Sequence, residues 1–357
     1  MKDDFYNGFL VTPLNWGLGH ASRCVPIIQY LIEKEIRIVV ASDGEALLYL
    51  KKEFPQLTFE ELPSYGVKYT EGSNFLQNIL KQLPKFIKAI HEENHVVDTL
   101  IQKHNISKII SDNRYGCYNK DTKNILITHQ LCPNLKGWWR SLNWPIEQIL
   151  RLQYDNFNMV WIPDDEINNL SGILSSLPIA DKQFIGVLSR FINIKETVLK
   201  NEILVILSGV EPQRTILEAK IIDQLKSINK NAVIVSGIGE GDEMENISTN
   251  ITKYQRLSTN ALAHLISESK YIVCRAGYSS IMDLAVLGKK ALLIPTPGQI
   301  EQEYLAEKLM KEKKFLMQTQ ENLNLAEAIN EIDKYEGIKL GNDEINLFKN
   351  LVDKLID

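Results

Sequence analysis

An imidazole directly after a glycine-rich turn is the first feature of this sequence that can do chemistry. The run Pro13-Leu14-Asn15-Trp16-Gly17-Leu18-Gly19-His20 follows a short apolar segment and precedes a helix-like stretch from Ala21. Gly17 and Gly19 let the backbone turn sharply and approach a ligand, and a helix start offers N–H donors. The unperturbed pKa of an imidazole suits a proton acceptor near neutrality, so His20 is the candidate base. The pattern is G-x-G-H, without the third glycine of a dinucleotide fingerprint. Two more polar clusters close apolar runs in the same half, Ser111-Asp112-Asn113-Arg114-Tyr115-Gly116 and Thr128-His129-Gln130. Asp112, Asn113, Arg114 and His129, with Gly17 and Gly19, form the expected acceptor pocket. The plainer reading is that Asp112-Asn113 only makes a turn.

The second half carries residues suited to an anion and to hydroxyl groups. Ser208 and Gly209 follow the apolar run ending at Leu207, and Val210-Glu211-Pro212-Gln213-Arg214 leads into a helix. A small residue, a glycine and a helix start make an anion-binding arrangement, to which Arg214 adds charge. Arg190, between the halves, is either a second cation for a phosphate or an exposed linker residue. Gly277 ends a later strand-like run, Tyr278-Ser279-Ser280 opens a helix, and Asp283 lies one turn in, placed to accept from both hydroxyls of a ribose. After the rigid turn Ile294-Pro295-Thr296-Pro297-Gly298, a helix start is crowded by Gln299, Glu301, Gln302 and Glu303. These suit sugar hydroxyls; the alternative is that they are solvated.

The elements that must position these residues are apolar β-branched runs. They fall at 9–11, 36–40, 108–110 and 125–127, then at 203–207, 232–235, 271–274 and 291–294. Helix-like stretches such as 21–33, 260–268, 279–287 and 301–311 lie between them. Short continuous apolar strands separated by helices signal parallel sheets covered on both faces. The expected fold is α/β, two doubly wound domains facing across a cleft, 1–186 and 187–357. Ligands bind such sheets beyond the carboxyl ends of the strands, where the candidate residues sit.

Composition narrows the function. The chain has 357 residues, 44% hydrophobic and 24% charged, as folded proteins do. Its formal charge of −5 excludes a general nucleic-acid coat, which needs clustered cations. No apolar run approaches the ~20 residues that span a bilayer. Cys24, Cys117, Cys132 and Cys274 form no C-x-x-C pair, and no D-x-D triplet occurs, so neither a zinc site, a disulfide framework nor another metal site is expected. Met1-Lys2-Asp3-Asp4 carries two acids where a signal peptide is cationic, which makes cytoplasmic residence the expectation.

The segment from Cys274 to Tyr304 resembles the donor-binding half of GT-B fold glycosyltransferases, in the group containing the peptidoglycan N-acetylglucosaminyltransferase that forms lipid II. Counted from Arg275, the residues Gly277, Asp283, Gly288, Pro295 and Gln302 fall at that family's spacing without a gap. The G-x-G-H turn and Gly186-Val187-Leu188-Ser189-Arg190 extend the resemblance to both halves, while the stretch between 30 and 180 matches nothing. The resemblance implies two Rossmann-like domains, the first binding the acceptor and the second a nucleotide-sugar, with a last helix (about 343–356) packing back on the first domain. It implies that Arg190, Ser208, Gly209, Arg214 and the helix start at Gly277-Tyr278-Ser279 hold the donor diphosphate, with Asp283 on the ribose and Gln299, Gln302 and Glu303 near the sugar. A UDP-linked donor, inversion at the anomeric carbon, no bound metal and no resident cofactor follow from it, and so does a role in making cell-envelope polysaccharide. Asp283 stands where the family commonly has glutamate. Glu303 stands where the lipid II enzyme has an amide, and a carboxylate only accepts, so the donor sugar is expected to differ. Trp16 beside Gly17 implies a different acceptor.

Two rival readings remain open. Gly19-His20-Ala21-Ser22-Arg23-Cys24 also resembles the start of the sugar-nucleotide hydrolase of pseudaminic acid synthesis, in which the histidine would activate water. A catalytically silent nucleotide-sugar-binding protein would keep the fold without the chemistry. Lys136-Gly137-Trp138-Trp139-Arg140, with Trp144 nearby, places tryptophans beside cations. That suits peripheral contact with a membrane carrying a lipid-linked acceptor, through Trp138 and Trp139; the alternative is a buried aromatic loop.

Overall fold

Nearly every strand in this chain pairs with parallel neighbours, which is why so many of them read as unbroken apolar runs. A computed structural model describes residues 8–66, 75–135, 137–192, 194, 197–238 and 243–356, with only the backbone at 75–81, 83 and 138. Met1-Lys2-Asp3-Asp4, Lys136 and the side chain of Trp138 lie outside the described residues. The described residues divide into two compact units, the first made of 8–66, 75–189 and 342–356, the second of those from 190 to 341. Each is a Rossmann-like α/β layer structure.

The first unit has strands β1 (Gly8–Pro13), β2 (Ile38–Ser42), β3 (Thr58–Glu61), β4 (Ile106–Asp112), β5 (Lys123–Ile127), β6 (Met159–Ile162) and β7 (Lys182–Phe184). They are ordered β3-β2-β1-β4-β5-β6-β7 and all pair in parallel. Helices α1 (Gly19–Glu33), α2 (Gly44–Glu53), α3 (Phe75–His104) and α4 (Asn143–Tyr154) cover the sheet. Val97 and Leu100 of α3 pack on Leu10, Val39 and Ile109, closing one face of the core. The order in which strands are added to the sheet reverses between β1 and β4, where Pro13 lies opposite Asp112. That is the switch point at which doubly wound sheets bind ligands.

The second unit has β8 (Asn201–Ile206), β9 (Ala232–Val235), β10 (Met244–Ser248), β11 (Ile251–Tyr254), β12 (Ser269–Cys274), β13 (Lys290–Leu293) and β14 (Leu316–Met317). The order is β10-β11-β9-β8-β12-β13-β14, parallel except for the β10–β11 pair. Helices α5 (Gln213–Ser227), α6 (Thr259–Ser267), α7 (Tyr278–Leu287), α8 (Ile300–Lys311) and α9 (Leu325–Glu331) complete it. Its switch point lies between β8 and β12, with Ile206 opposite Cys274.

The last helix, α10 (Asn342–Ile356), belongs to the first unit and docks on α1. The Tyr30 hydroxyl donates to the Asp353 carboxylate at 2.8 Å, Lys34 Nζ reaches it at 2.7 Å, and the Phe348 ring meets Tyr30 edge-on. A Cβ at Gly186, where φ is +73°, would lie 1.9 Å from the Glu344 carbonyl oxygen, so only glycine lets α10 lie this close. Phe348 is almost wholly buried, and Phe348→Ala is expected to destabilise the first unit by about 3–5 kcal/mol in urea denaturation followed by circular dichroism.

Candidate active site

The loop after β1 is held in place before it can present anything. Asn15 Nδ2 donates to Asp43 at 3.1 Å, and Asn15 Oδ1 accepts from the N–H of Ala46. Gly17 is exposed with φ +73°, and Gly19 opens α1. His20 follows in the first turn, with 14% of its side chain exposed. Its Nδ1 lies 2.8 Å from Oδ1 of Asp112, the last residue of β4.

Asp112 has no exposure, and Arg23 keeps it ionised. Arg23 lies one turn beyond His20 and forks the carboxylate through Nε and Nη2. Its Nη1 lies 3.1 Å from His129 Nδ1, and Nη2 lies 2.9 Å from His20 Nδ1. Burial pushes the Asp112 carboxyl up, but the Arg23 and His20 partners outweigh it and hold the pKa at about 2. Burial and the Arg23 charge push His20 below its ordinary 6.5, so its imidazole is neutral at pH 7. The tautomer with Nδ1–H donating to Asp112 leaves the lone pair on Nε2, the arrangement a general base requires. The Cys24 thiol lies 3.6 Å from Asp112 Oδ2, and burial raises its pKa well above the ordinary value, so it stays protonated.

Several residues of the expected acceptor pocket do other work. Asp112 is sealed from solvent and holds the His20 ring. His129 is buried behind Arg23. Asn113 makes the turn, with φ +56° and its N–H on the Ile127 carbonyl. Arg114 is fully buried, with Nη1 2.6 Å from Glu93, Nη2 on Asp43 and Nε donating to the Pro13 carbonyl. It ties the end of β1 to α3 and to the turn after β2, so it is a brace within the unit. Of the expected pocket, Gly17 and Gly19 remain accessible, in the same turn as the candidate base His20. Arg23 was missed as a site residue, although its position three residues after His20 on a helix start was the available signal.

In the second unit Ser208 and Gly209 follow β8 and are exposed, Gly209 with φ +103°. The strand pairing brings them beside the residues that follow β12, where Gly277 caps α7 without a side-chain bond. The positive end of that helix therefore opens at the switch point. Asp283 sits half-buried in its second turn. Arg190 opens the unit, its guanidinium 4.8 Å from the Phe191 ring centroid. Gln299 caps α8.

Four expectations are corrected here. Arg214 is buried and paired with both Glu211 and Glu218, so its charge is already neutralised. The Tyr278 side chain is buried, leaving only its backbone at the helix start. Gln302 Oε1 accepts from the N–H of Thr296 at 2.9 Å, and Glu303 Oε1 from that of Gly298 at 2.8 Å. Those two oxygens fold the 296–298 turn instead of facing a sugar. Arg275, directly after β12, was given no role, yet it is fully buried and joins three loops.

On the surface of the first unit, α4 exposes Trp144, Ile149 and Leu152 at helical spacing, and Arg140 is exposed in the preceding turn. Trp139 is half-buried. No helix among the described residues is long and apolar enough to cross a membrane, and none of them form a group of three or more His, Cys, Asp or Glu placed to hold a metal ion.

Comparison with known proteins agrees with this architecture. The glycosyltransferase family 28 C-terminal domain matches residues 204–344, most of the second unit. No curated protein matches the sequence. Among solved structures, the chain is similar to the glycotransferase of kitacinnamycin (TM-score 0.69, 12% identity, covering 99% of this chain and 100% of that one). It is also similar to the spinosyn rhamnosyltransferase SpnG complexed with thymidine diphosphate (TM-score 0.60, 12% identity, 98% and 95%) and to MurG of Acinetobacter baumannii (TM-score 0.56, 12% identity, 98% and 99%). At these identities the likeness is one of fold: the chain has the GT-B fold, two Rossmann-like α/β domains. It does not single out the lipid II-forming enzyme.

Replacing Arg114 with an apolar residue would leave Asp43 and Glu93 buried without their cation. Arg114→Met is expected to cost about 3–5 kcal/mol of stability, read from the urea midpoint and slope.

Proposed function

We propose that this protein is a glycosyltransferase that moves a sugar from a nucleoside diphosphate donor, UDP-linked by the family resemblance, to an acceptor hydroxyl with inversion. The His20–Asp112 pair carries this reading: a neutral imidazole at a partly open mouth, backed by a buried ionised carboxylate. The acceptor hydroxyl gives its proton to His20 Nε2 while its oxygen bonds to the anomeric carbon. The bond from that carbon to the diphosphate breaks, and its electron pair leaves on the diphosphate oxygen. Asp112 stabilises the imidazolium as it forms, and Arg23 holds the carboxylate ionised and oriented. Acceptor activation belongs to the first unit. Donor binding belongs to the second, through Ser208, Gly209, Arg190 and the start of α7, with Asp283 on the ribose. The family 28 match over 204–344 supports that assignment, as does a structure of the same fold recorded with thymidine diphosphate.

The acceptor reading is lipid-linked. Trp144, Ile149 and Leu152 give α4 an apolar exposed face with a cation beside it, the composition of an interfacial contact. Replacing Trp144 and Leu152 together by serine is expected to cut co-sedimentation with phosphatidylglycerol vesicles by ~10-fold or more, because two apolar side chains are removed from the interface. Unchanged sedimentation overturns the membrane contact.

The second reading is a hydrolase, favoured by Arg23 lying three residues after His20 and locked on the same carboxylate. Release of sugar without acceptor, as fast as turnover with one, would establish it. Nucleotide-sugar binding without turnover, indifferent to His20→Ala, would establish a silent binder.

The sign of the pH dependence follows from the site. Because burial and the Arg23 charge hold the His20 pKa below 6.5, kcat/KM for transfer is expected to fall on acidification as the base protonates, with the midpoint of that fall below pH 6.5. His20→Gln is expected to lower kcat by about 10²–10⁴-fold and to leave donor affinity unchanged in calorimetric titration. Equal kcat in wild type and variant rules out His20 as the base.

A further inference from the structure

Four arginines are buried among the described residues, and three of them face carboxylates: Arg23 on Asp112, Arg114 on Asp43 and Glu93, and Arg214 on Glu211 and Glu218. Arg275 is the fourth. Its Nη1 donates to the Ile294 and Pro295 carbonyls at 3.4 and 3.2 Å, and its Nη2 to the Gln213 carbonyl and Gln320 Oε1 at 2.8 and 2.7 Å. Every one of these acceptors is neutral, and no ion pair with a described carboxylate offsets the charge. Burial pushes its pKa down to about 10, which still leaves it cationic at neutral pH. A buried charge without a counter-charge costs several kcal/mol, so its retention calls for an anion from outside the chain.

The place for that anion is marked by two orphaned atoms. Arg275 Nε and Thr296 Oγ1 are both buried and have no hydrogen-bond partner. Both border the same small space, because a Cβ added at Gly209 would lie 3.7 Å from Thr296 Oγ1 and 4.0 Å from Arg275 Nε. Gly209 itself is exposed and has φ +103°, so the chain offers a side-chain-free notch with two donors in its floor. Ser208 flanks it, and the positive end of α7 opens on the adjoining strand end. Water in this notch satisfies the hydrogen bonds but not the charge, whereas an oxyanion satisfies both.

We propose that Arg275 and Thr296 form, at Gly209, a subsite for a phosphoryl oxygen of the donor's diphosphate. The assignment rests on the donor reading above and adds two residues to it. Arg275 supplies a fixed charge that gains strength as electrons move onto the leaving diphosphate, and Thr296 fixes the oxygen's position.

The test is calorimetric titration of the full chain with inorganic pyrophosphate, with UDP, GDP and dTDP, and with the nucleoside of whichever diphosphate binds best. Thr296→Val loses no hydrogen bond within the protein. It should leave the melting temperature unchanged, weaken the nucleoside diphosphate by ~5-fold and leave the nucleoside unaffected. Arg275→Met should weaken pyrophosphate and the nucleoside diphosphate by ~10-fold or more, again sparing the nucleoside, and Arg275→Lys should recover part of the loss. Equal weakening of nucleoside and diphosphate would mean that Arg275 only braces its loops, and overturns the subsite. So does unchanged diphosphate binding in Thr296→Val and Arg275→Met. Thr296→Val decides the matter alone if Arg275→Met does not fold. A wild-type chain that binds neither pyrophosphate nor any of the diphosphates overturns the donor reading itself, and the subsite with it.

Discussion

A carboxylate kept ionised where no water reaches it governs the first unit. Asp112 can stay charged only because Arg23 forks it, and that fork fixes where α1 must begin and which way its first turn faces. His20, on that turn, inherits its position from the same contact. The sheet register supplies the other half of the constraint, since Asp112 comes under the start of α1 only with Pro13 opposite it. A slip of one residue would send the carboxylate to the other face of the sheet. The placement of the proposed base is therefore a property of strand pairing as much as of the loop that carries the histidine.

The arginines show how little a residue type says until its neighbours are known. Arg114 and Arg214 are cations in name, but each is matched by two carboxylates and presents no net charge to a ligand. Arg275 donates as many hydrogen bonds as Arg114, yet all its acceptors are neutral. The difference lies in which groups surround the guanidinium: two carboxylates at Arg114 and at Arg214, only neutral oxygens at Arg275.

The fold class was legible because buried parallel strands are continuous apolar runs, and each of the eight runs picked out falls within or against a strand. Of the six strands outside those runs, β3 and β10 lie at the sheet edges with mostly exposed or half-buried residues and so carry no such run, whereas β6 is apolar and mostly buried and was passed over. Candidate residues at strand ends could be located, since a strand end is a local signal. Their roles could not, because the partners that define them are remote: Asp43 precedes Arg114 by 71 residues and Glu93 by 21. Arg214 is the exception. Glu211 and Glu218 stand three before and four after it, and helical spacing alone pairs such residues.

Placing α10 in the first unit separates the order of synthesis from the order of assembly. Residues 342–356 leave the ribosome only after the whole of 190–341, yet Tyr30, Lys34 and Gly186 wait for them. The second unit, continuous from 190 to 341, has all its strands and helices before α10 exists. During translation the amino-terminal unit must therefore persist with the α1 face uncovered until the residues of the second unit have been made. The Tyr30–Asp353 contact spans more than 300 residues, so the half that carries His20 cannot close over α1 until the whole intervening chain has been made.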